Sequence, residues 1–165
     1  MLVKDYLKNC PKQISKRTLC FLLNNSKEVL LGKKKRGFGE GNYLGVGGKV
    51  NDNETVEQAA IREVKEEINV TPTDLEKMAV VTFLFPDKPN WNQEVHVFRT
   101  FSWINQPTES DEIIPKWFKL NEVPYNLMWD DNKYWLPSIL EGKKLRGYFL
   151  FKDLKVISSE INPYN

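Results

Sequence analysis

Short apolar runs, separated by residues that favour turns, recur along the chain and predict a protein built mainly from β-strands. The predicted strands span residues 18–23, 29–31, 79–85, 94–103, 117–120, 147–151 and 154–157. Asn24, Asn25 and Ser26 favour a turn, so we expect the first two strands to form a hairpin. Pro86 and Pro89 separate the next two strands, which are expected to form a second, longer hairpin.

Two segments have the features of helices. Residues 55–68 contain no Gly or Pro, and Thr55 with Gln58 fits a capping box at the start of a helix. Asn69 follows, and Asn tolerates the left-handed conformation in which helices often end. A second helix is predicted over residues 131–140. A majority of strands with two helices predicts an α+β protein or an α/β/α sandwich with a central mixed β-sheet.

The length of 165 residues fits a single domain, and a hydrophobic content of 41% is typical of a folded globular chain. We expect an irregular N-terminal leader over residues 1–16, followed by a domain spanning residues 17–165. No apolar run reaches the ~18 residues of a membrane span, and the N-terminus lacks the apolar core of a signal peptide. We therefore expect a cytoplasmic monomer without a membrane partner.

The formal net charge is only +2, weaker than the basic excess usual in proteins that bind duplex nucleic acid. No nucleic acid polymer is therefore expected as a partner. Basic residues are concentrated in the run 33–36, which suits a compact phosphate group or, alternatively, a solvated loop. Seven of the nine glycines lie between residues 32 and 48. The backbone there is expected to approach another group closely or to contain several turns of positive φ.

Cysteine and histidine do not form a metal-binding pattern in the sequence. Cys10, Cys20 and the single His96 show neither a CxxC spacing nor a Cys/His cluster, so a zinc site is not predicted. His96 lies in a predicted strand, which favours a hydrogen-bonded structural role over a catalytic one.

The predicted helix over residues 55–68 carries an acidic stripe beside an apolar one. At 100° per residue, Glu63, Glu66 and Glu67 fall within an arc of about 100°. The adjacent arc holds the apolar side chains Ala60, Ile61, Val64 and Ile68. Like charges at i,i+4 destabilise a helix by roughly 0.2–0.5 kcal/mol, so three crowded carboxylates need a reason. A divalent cation such as Mg²⁺, which prefers carboxylate oxygens, supplies one. The alternative is a solvated acidic face balanced by basic residues of the same helix.

The residues around this helix resemble the Nudix box, G-x5-E-x7-R-E-U-x-E-E-x-G-U, in which U is a bulky aliphatic residue. Gly48 is followed after five residues by Glu54, and after seven more by the run from Arg62 to Val70. Every specified position matches except Asn69, which stands where the pattern has Gly. The resemblance to the MutT-homologue branch of the family extends over residues 18–151. It is carried further by segments 30–39, 47–50, 95–98, 109–112, 117–118, 128–129 and 147–149.

The resemblance implies a Nudix hydrolase with an α/β/α sandwich fold. Mg²⁺, with Mn²⁺ as a possible substitute, would be held by Gly47, Glu63, Glu66, Glu67 and Glu112. Glu66 or Glu67 would position or deprotonate the attacking water, and Arg62 would orient the glutamates by a bidentate ion pair. The branch implies hydrolysis of oxidised purine nucleoside triphosphates, such as 8-oxo-dGTP, to the monophosphate and pyrophosphate. Such a reaction cleanses the nucleotide pool and prevents DNA damage.

By position, the resemblance also implies a substrate site. It would be formed by Thr18, Lys34, Phe38, Leu44, Gly48, Lys49, Phe83, Phe85, Trp129, Asp131 and Asn132. Trp129 would stack on the base, with core packing as the alternative for this ring. Leu44 and Asn132 stand where the family's base-reading pattern has an asparagine and an aspartate. Asp130 would compensate if its loop shifted register.

Two other functions stay open on the sequence alone. The chain would also suit a Nudix hydrolase of another nucleoside diphosphate derivative, such as a dinucleotide or a nucleotide sugar, because Leu44 and Asn132 depart from the pattern. The third hypothesis is a non-catalytic, nucleotide-binding Nudix-like domain. The intact glutamates argue against it, because a domain without turnover has little reason to keep them.

Overall fold

The computed structural model describes residues 1–164, which form helices and strands in the following order. The helices are α1 (Val3–Leu7), α2 (Val56–Ile68) and α3 (Asn132–Leu140). The strands are β1 (Ser15–Leu22), β2 (Glu28–Lys34), β3 (Tyr43–Leu44), β4 (Thr71–Thr73), β5 (Glu76–Leu84), β6 (Gln93–Thr100), β7 (Ser102–Ile104), β8 (Ile113–Lys119), β9 (Leu145–Lys152) and β10 (Lys155–Pro163). Short 3₁₀ turns span Pro89–Trp91, Leu120–Glu122 and Tyr125–Leu127.

A five-stranded mixed sheet in the order β1-β6-β5-β9-β10 forms the centre of the molecule. Parallel pairs β1/β6 and β5/β9 alternate with antiparallel pairs β5/β6 and β9/β10. In its register, His96 lies between Thr18 of β1 and Val80 of β5. A smaller antiparallel sheet has the order β3-β2-β8, and β4 pairs with β7. The predicted mixed sheet is confirmed, as is the antiparallel pairing of the strands on either side of the proline-containing loop.

Helices cover both faces of the central sheet, as the predicted α/β/α sandwich requires. On one face, Val64 and Ile68 of α2 are buried in a cluster with Cys20 and Phe98. On the other face, α3 packs against a second cluster, to which it contributes Trp135, Leu136 and Ile139. Burying each large aliphatic side chain stabilises the fold by about 1.5–3 kcal/mol, so these two layers fix the helices on the sheet.

Helix α2 has the ends that its sequence predicts. The Thr55 side chain accepts a hydrogen bond from the Gln58 amide and the Gln58 side chain accepts one from the Thr55 amide, which completes the capping box. Asn69 ends the helix with φ of 60°, in the left-handed region. The expected apolar stripe differs in one position, because Ile61 is 36% exposed whereas Ala59 is buried. The buried face is centred on Ala60 and Val64, which leaves Ile61 at its edge.

The first predicted hairpin is wrong in its pairing, although its turn is correct. The Asn24 side chain accepts hydrogen bonds from the amides of Ser26 and Glu28, which closes the turn. Beyond a single bridge between Leu23 and Val29, however, β1 and β2 separate into different sheets. β1 pairs with β6 instead, a non-local contact that the local sequence does not encode.

Residues 1–16, expected to be an irregular leader, contain helix α1 and the first residues of β1. Val3 is fully buried and packs against Leu84 and Leu150 of the central sheet. A helix of five residues is too short to show a periodic pattern in sequence, and its packing on the sheet holds it in place. No helix within residues 1–164 combines the length and apolar character that crossing a bilayer requires.

Candidate active site

Arg62 lies at the centre of a network of carboxylates on α2 and the loop before it. Its Nε and Nη2 donate to the two oxygens of Glu54, at 3.0 and 2.6 Å. Its Nη1 lies 3.0 Å from Glu63 Oε1 and 3.2 Å from Glu66 Oε2, and Nη2 also donates to the Lys49 carbonyl at 2.9 Å. The bidentate partner is therefore Glu54, whose pKa the Arg62 guanidinium and the Asn51 amide lower to about 2. One guanidinium thus fixes three carboxylates relative to the loop.

The glycine at the start of the motif is required by a close approach between that loop and α2. A Cβ on Gly48 would overlap the Glu63 carboxylate and displace it from its position beside Arg62. A Cβ on Gly47 would lie 2.0 Å from the Thr18 carbonyl oxygen. The Gly48 carbonyl accepts a hydrogen bond from the Thr18 amide at 2.8 Å. No donor in residues 1–164 is hydrogen-bonded to the Gly47 carbonyl. The loop therefore presents a free carbonyl beside the acidic stripe.

Glu67 differs from the other glutamates of α2 in its surroundings. Its side chain is half-buried, and no basic group within residues 1–164 forms an ion pair with it. Burial, followed by the negative charges of Glu63 and Glu112, raises the pKa of Glu67 to about 7, although the positive charge of Lys34 opposes the rise. The carboxylates of Glu63 and Glu112 therefore act electrostatically on Glu67. Together these three residues form the acidic patch.

The remaining predicted carboxylate ligands form ion pairs with arginines. Glu112 forms an ion pair with Arg36, whose Nη2 lies 2.5 Å from Glu112 Oε1, and this lowers the pKa of the carboxylate. Glu66 is exposed and turned towards Arg62. Among residues 1–164 there is accordingly no group of three His, Cys, Asp or Glu side chains arranged to hold a metal ion. Bringing these carboxylates together with Glu67 around a cation would require Glu63, Glu66 and Glu112 to exchange their arginine partners for that cation.

A pocket of about 420 Å³ opens beside this acidic patch. All of the predicted substrate residues except Lys49 line it: Thr18, Lys34, Phe38, Leu44, Gly48, Phe83, Phe85, Trp129, Asp131 and Asn132. The Lys49 side chain is exposed, and it is the Lys49 carbonyl that joins the network by accepting from Arg62. Lys34 lies between the two regions, where its Nζ donates to the Phe38 carbonyl at 2.5 Å.

A model of the NUDIX domain matches residues 15–139, which is well over half of the sequence. The chain belongs to the Nudix family. It is 44% identical over 129 residues to the oxidized purine nucleoside triphosphate hydrolase of Danio rerio, which covers 78% of this chain and 82% of that protein. It is 41% identical over 138 residues to the protein of the same name from Mus musculus, covering 84% and 88%. The predicted family is confirmed.

The Nudix fold is confirmed by comparison with solved structures. The crystal structure of mMutator MutT protein from Bacillus halodurans superposes with a TM-score of 0.79, covering 92% of this chain and 100% of that one. The sequence identity is 22%, so this likeness bears on the fold alone. Strands β9 and β10 follow the segment matched by the family model, yet β9 pairs with β5 in the central sheet of the Nudix domain.

Aromatic rings form the walls of the Nudix pocket. The ring of Phe38 lies 5.2 Å from that of Trp129 and 5.1 Å from that of Trp91. Phe85 stacks on Phe151, with 4.9 Å between the ring centroids and 14° between the planes. Such an assembly suits a flat aromatic ligand. Trp129 lines the pocket and belongs to none of the core clusters of residues 1–164, which favours stacking over core packing for this ring.

The adjacent residues Asp130 and Asp131 have different partners, and of the two only Asp131 lines the pocket. Asp131 is buried, accepts a hydrogen bond from Trp135 Nε1 at 2.7 Å, and has its pKa raised by burial to about 6. Asp130 instead accepts from the Val156 amide at 2.8 Å and pairs with Lys133, so it faces away from the pocket. The expectation that Asp130 would compensate for Asn132 is therefore wrong, because the Asp130 carboxylate is bound by the Val156 amide of β10 and by Lys133. The Asn132 amide nitrogen donates to the Trp129 carbonyl at 3.1 Å, which leaves the Asn132 carbonyl oxygen as an acceptor.

Sequence reasoning missed several residues that line the pocket. The most prominent are Trp91 and Asn92, in the loop between β5 and β6, and Leu154, in the turn between β9 and β10. Leu154 has a φ of 65°, a left-handed conformation that is unfavourable for leucine. A tryptophan in a proline-containing loop was the one signal in the sequence that could have indicated Trp91. Nothing in the local sequence indicates Leu154, since its position depends on the β-hairpin.

His96 has the structural role expected of it. Its Nε2 lies 2.7 Å from Glu94 Oε1, and burial lowers the pKa of the imidazole. Its Nδ1 is buried without a hydrogen-bond partner in the described part of the chain. The ring does not line the pocket beside α2.

Proposed function

We propose that this protein hydrolyses oxidised purine nucleoside triphosphates, releasing the nucleoside monophosphate and pyrophosphate, in a reaction that depends on Mg²⁺ and accepts Mn²⁺ as a substitute. The observation that carries the proposal is the position of the acidic patch of α2 directly beside a pocket walled by aromatic rings. The former suits a triphosphate with its cation, and the latter suits a base. Relatives at 41–44% identity carry the corresponding name.

The residues present fit a divalent cation. Oxygen donors are what Mg²⁺ prefers, and the carboxylates of Glu63, Glu66, Glu67 and Glu112 with the Gly47 carbonyl would supply them. Burial and the neighbouring charges of Glu63 and Glu112 raise the pKa of Glu67, and a bound cation would favour its ionised form. When bound, such an ion neutralises phosphate charge and lowers the pKa of a coordinated water.

Side chains of the protein would position the carboxylates, accept a proton and neutralise phosphate charge. Arg62 holds Glu63 and Glu66 in place through its ion pairs and leaves Glu67 facing the patch. We propose that Glu67 or Glu66 accepts the proton of the attacking water, and that geometry favours Glu67 because Glu66 is exposed and paired with Arg62. Lys34, between the patch and the pocket, would neutralise a phosphate oxygen.

The pocket would select the base. Trp129 offers a stacking surface, while the Asp131 carboxylate and the Asn132 carbonyl oxygen offer two acceptors towards the N–H groups of a purine edge. Leu44 lines the pocket without a hydrogen-bonding group. A missing polar contact changes selectivity by about 1–3 kcal/mol, so this observation keeps a second candidate, the hydrolysis of another nucleoside diphosphate derivative.

A steady-state screen tests the proposal. Oxidised and undamaged purine triphosphates, a dinucleotide and a nucleotide sugar are compared with Mg²⁺ present. Highest kcat/KM for an oxidised purine triphosphate supports the proposal. Turnover of the dinucleotide or the nucleotide sugar alone supports the second candidate. Absence of turnover with measurable nucleotide binding indicates a non-catalytic domain.

The proposal extends to the oligomeric state and the location of the protein. We infer a monomer in the cytoplasm that acts on free nucleotides to cleanse the nucleotide pool. The formal charge of +2 supports a small-molecule substrate over a nucleic acid polymer.

A further inference from the structure

Helix α1 lies outside the segment that the Nudix model matches, yet it is firmly attached to the central sheet. Val3 is fully buried with Leu84 and Leu150, and its amide donates to the Ser158 hydroxyl at 3.1 Å. Tyr6 packs against the same cluster. Because α1 is held on the sheet, its side chains can fix the position of the residues that they contact.

The Tyr6 hydroxyl contacts the loop between β5 and β6. It accepts a hydrogen bond from Asn92 Nδ2 at 3.0 Å, and Asn92 Oδ1 in turn accepts from the Phe85 amide at 2.7 Å. Asn92 is only 2% exposed. The Asn92 side-chain amide is therefore hydrogen-bonded on one side to Tyr6 of α1 and on the other to Phe85, which directly follows β5. These two bonds close the base of the loop.

Trp91 immediately precedes Asn92 and forms part of the pocket wall. Its ring lies 5.1 Å from Phe38 and 5.7 Å from Phe85, and Lys88 Nζ lies 4.1 Å from the ring centroid. The Trp91 amide also donates to the Lys88 carbonyl at 2.8 Å. These contacts come from the loop itself and from the pocket, so Asn92 is the link between Trp91 and α1.

We propose that Tyr6 and Asn92 are positioning residues that hold Trp91 as a substrate-contacting wall of the base pocket. Helix α1 thereby sets the affinity for the base, and the inference rests on the proposed function of that pocket. Removing the Tyr6 hydroxyl leaves the Asn92 amide N–H buried without a partner, which favours release of the loop. We expect the chemistry at the phosphates to be unchanged, because neither Tyr6 nor Asn92 belongs to the acidic patch.

A set of four variants tests the link. Tyr6→Phe removes the hydroxyl alone, and Tyr148→Phe is its matched control, because Tyr148 packs in the same cluster without a hydrogen bond from its hydroxyl in the described chain. Trp91→Leu removes the wall, and Tyr6→Phe/Trp91→Leu combines the two. We expect Tyr6→Phe to raise KM for an oxidised purine triphosphate about fivefold with kcat unchanged, and Tyr148→Phe to change neither. In the Trp91→Leu background, Tyr6→Phe should have no further effect.

An unchanged KM in Tyr6→Phe overturns the inference, as does an effect of equal size with and without Trp91. Amide hydrogen exchange provides a readout that needs no turnover. Faster exchange at Phe85 in Tyr6→Phe than in Tyr148→Phe supports the link even if no triphosphate is hydrolysed, in which case the proposed function alone fails. Equal exchange at Phe85 in these two variants overturns the link.

Discussion

The acidic patch and the aromatic pocket lie side by side but are assembled in different ways. The patch draws most of its groups from a single segment, residues 54–67, where Arg62 pairs with carboxylates on its own helix and in the preceding loop. The pocket draws its walls from at least five distant segments, including residues 83–93 and 129–135. The groups that would act on the phosphates are thus set by local geometry, whereas those that would select the base depend on tertiary packing.

The two regions also treat charge differently. In the patch, carboxylates repel one another and are held by the partly buried Arg62 and the exposed Arg36. The exposed pair between Arg36 and Glu112 contributes little, so a cation can replace it at modest cost. In the pocket, Asp131 is isolated from solvent and held by Trp135. Changes in the patch should therefore alter turnover, and changes in the pocket should alter affinity.

The largest effect is expected from Glu67→Gln, which removes the one carboxylate of the patch without an arginine partner in residues 1–164. Turnover should fall by about 10²-fold or more, since this group is proposed to act on the cation or the water. Stability should be unchanged or higher, because a half-buried charge among like charges is lost. Glu57→Gln, exposed on the same helix, is the matched control. Near-normal turnover in Glu67→Gln would sink the role proposed for the patch.

A pH-dependent effect on stability is expected from Asp131. Its pKa is raised to about 6 from an ordinary 3.8, so the folded protein binds this proton more tightly than the unfolded chain. The resulting stabilisation is fully present below pH 3.8 and is lost as the pH rises through about 6. Relative to Asp131→Asn, the wild type should lose about 2–3 kcal/mol of unfolding free energy between pH 4 and pH 7. Urea denaturation at several pH values measures this, and a pH-independent difference would contradict the assigned environment.

Loss of the stacking surface comes next. Trp129→Ala should raise KM by about tenfold to thirtyfold while kcat changes much less, because stacking on a base contributes about 1–3 kcal/mol. Steady-state kinetics give both values, and circular dichroism checks the fold. Global unfolding of the variant would indicate that Trp129 packs in the core. It would contradict the expectation that changes in the pocket alter affinity alone.

The smallest expected effect is a gain in stability from Leu154→Gly. Leu154 adopts φ of 65° at the pocket rim and is partly exposed, so glycine relieves an unfavourable backbone at little cost in burial. The melting temperature should rise, corresponding to about 0.5–1 kcal/mol. Asp153→Gly, at the neighbouring residue with φ of 48°, is a matched variant. A lower melting temperature in Leu154→Gly would show that its side chain contributes more than its backbone costs.

These differences also explain what the sequence could predict. Helix α2, its capping box, the left-handed Asn69 and the acidic stripe are encoded within a few turns of one helix, so their pattern is visible in the chain itself. The pairing of β1 with β6 in place of β2, the docking of α1 and the orientation of Asp130 towards Val156 depend on contacts between distant residues. Trp91 belongs to the second group, because its ring joins the pocket wall through its contact with Phe38, which is distant in sequence.

The most direct test of the central claim is the identity of the two products, followed by ³¹P nuclear magnetic resonance with an oxidised purine triphosphate and Mg²⁺. We expect nucleoside monophosphate and pyrophosphate in equal amounts. Both products should form about 10²-fold more slowly or not at all in Glu67→Gln, and more slowly at low substrate concentration in Trp129→Ala. Nucleoside diphosphate with orthophosphate, or no products at all from the unaltered protein, would contradict it.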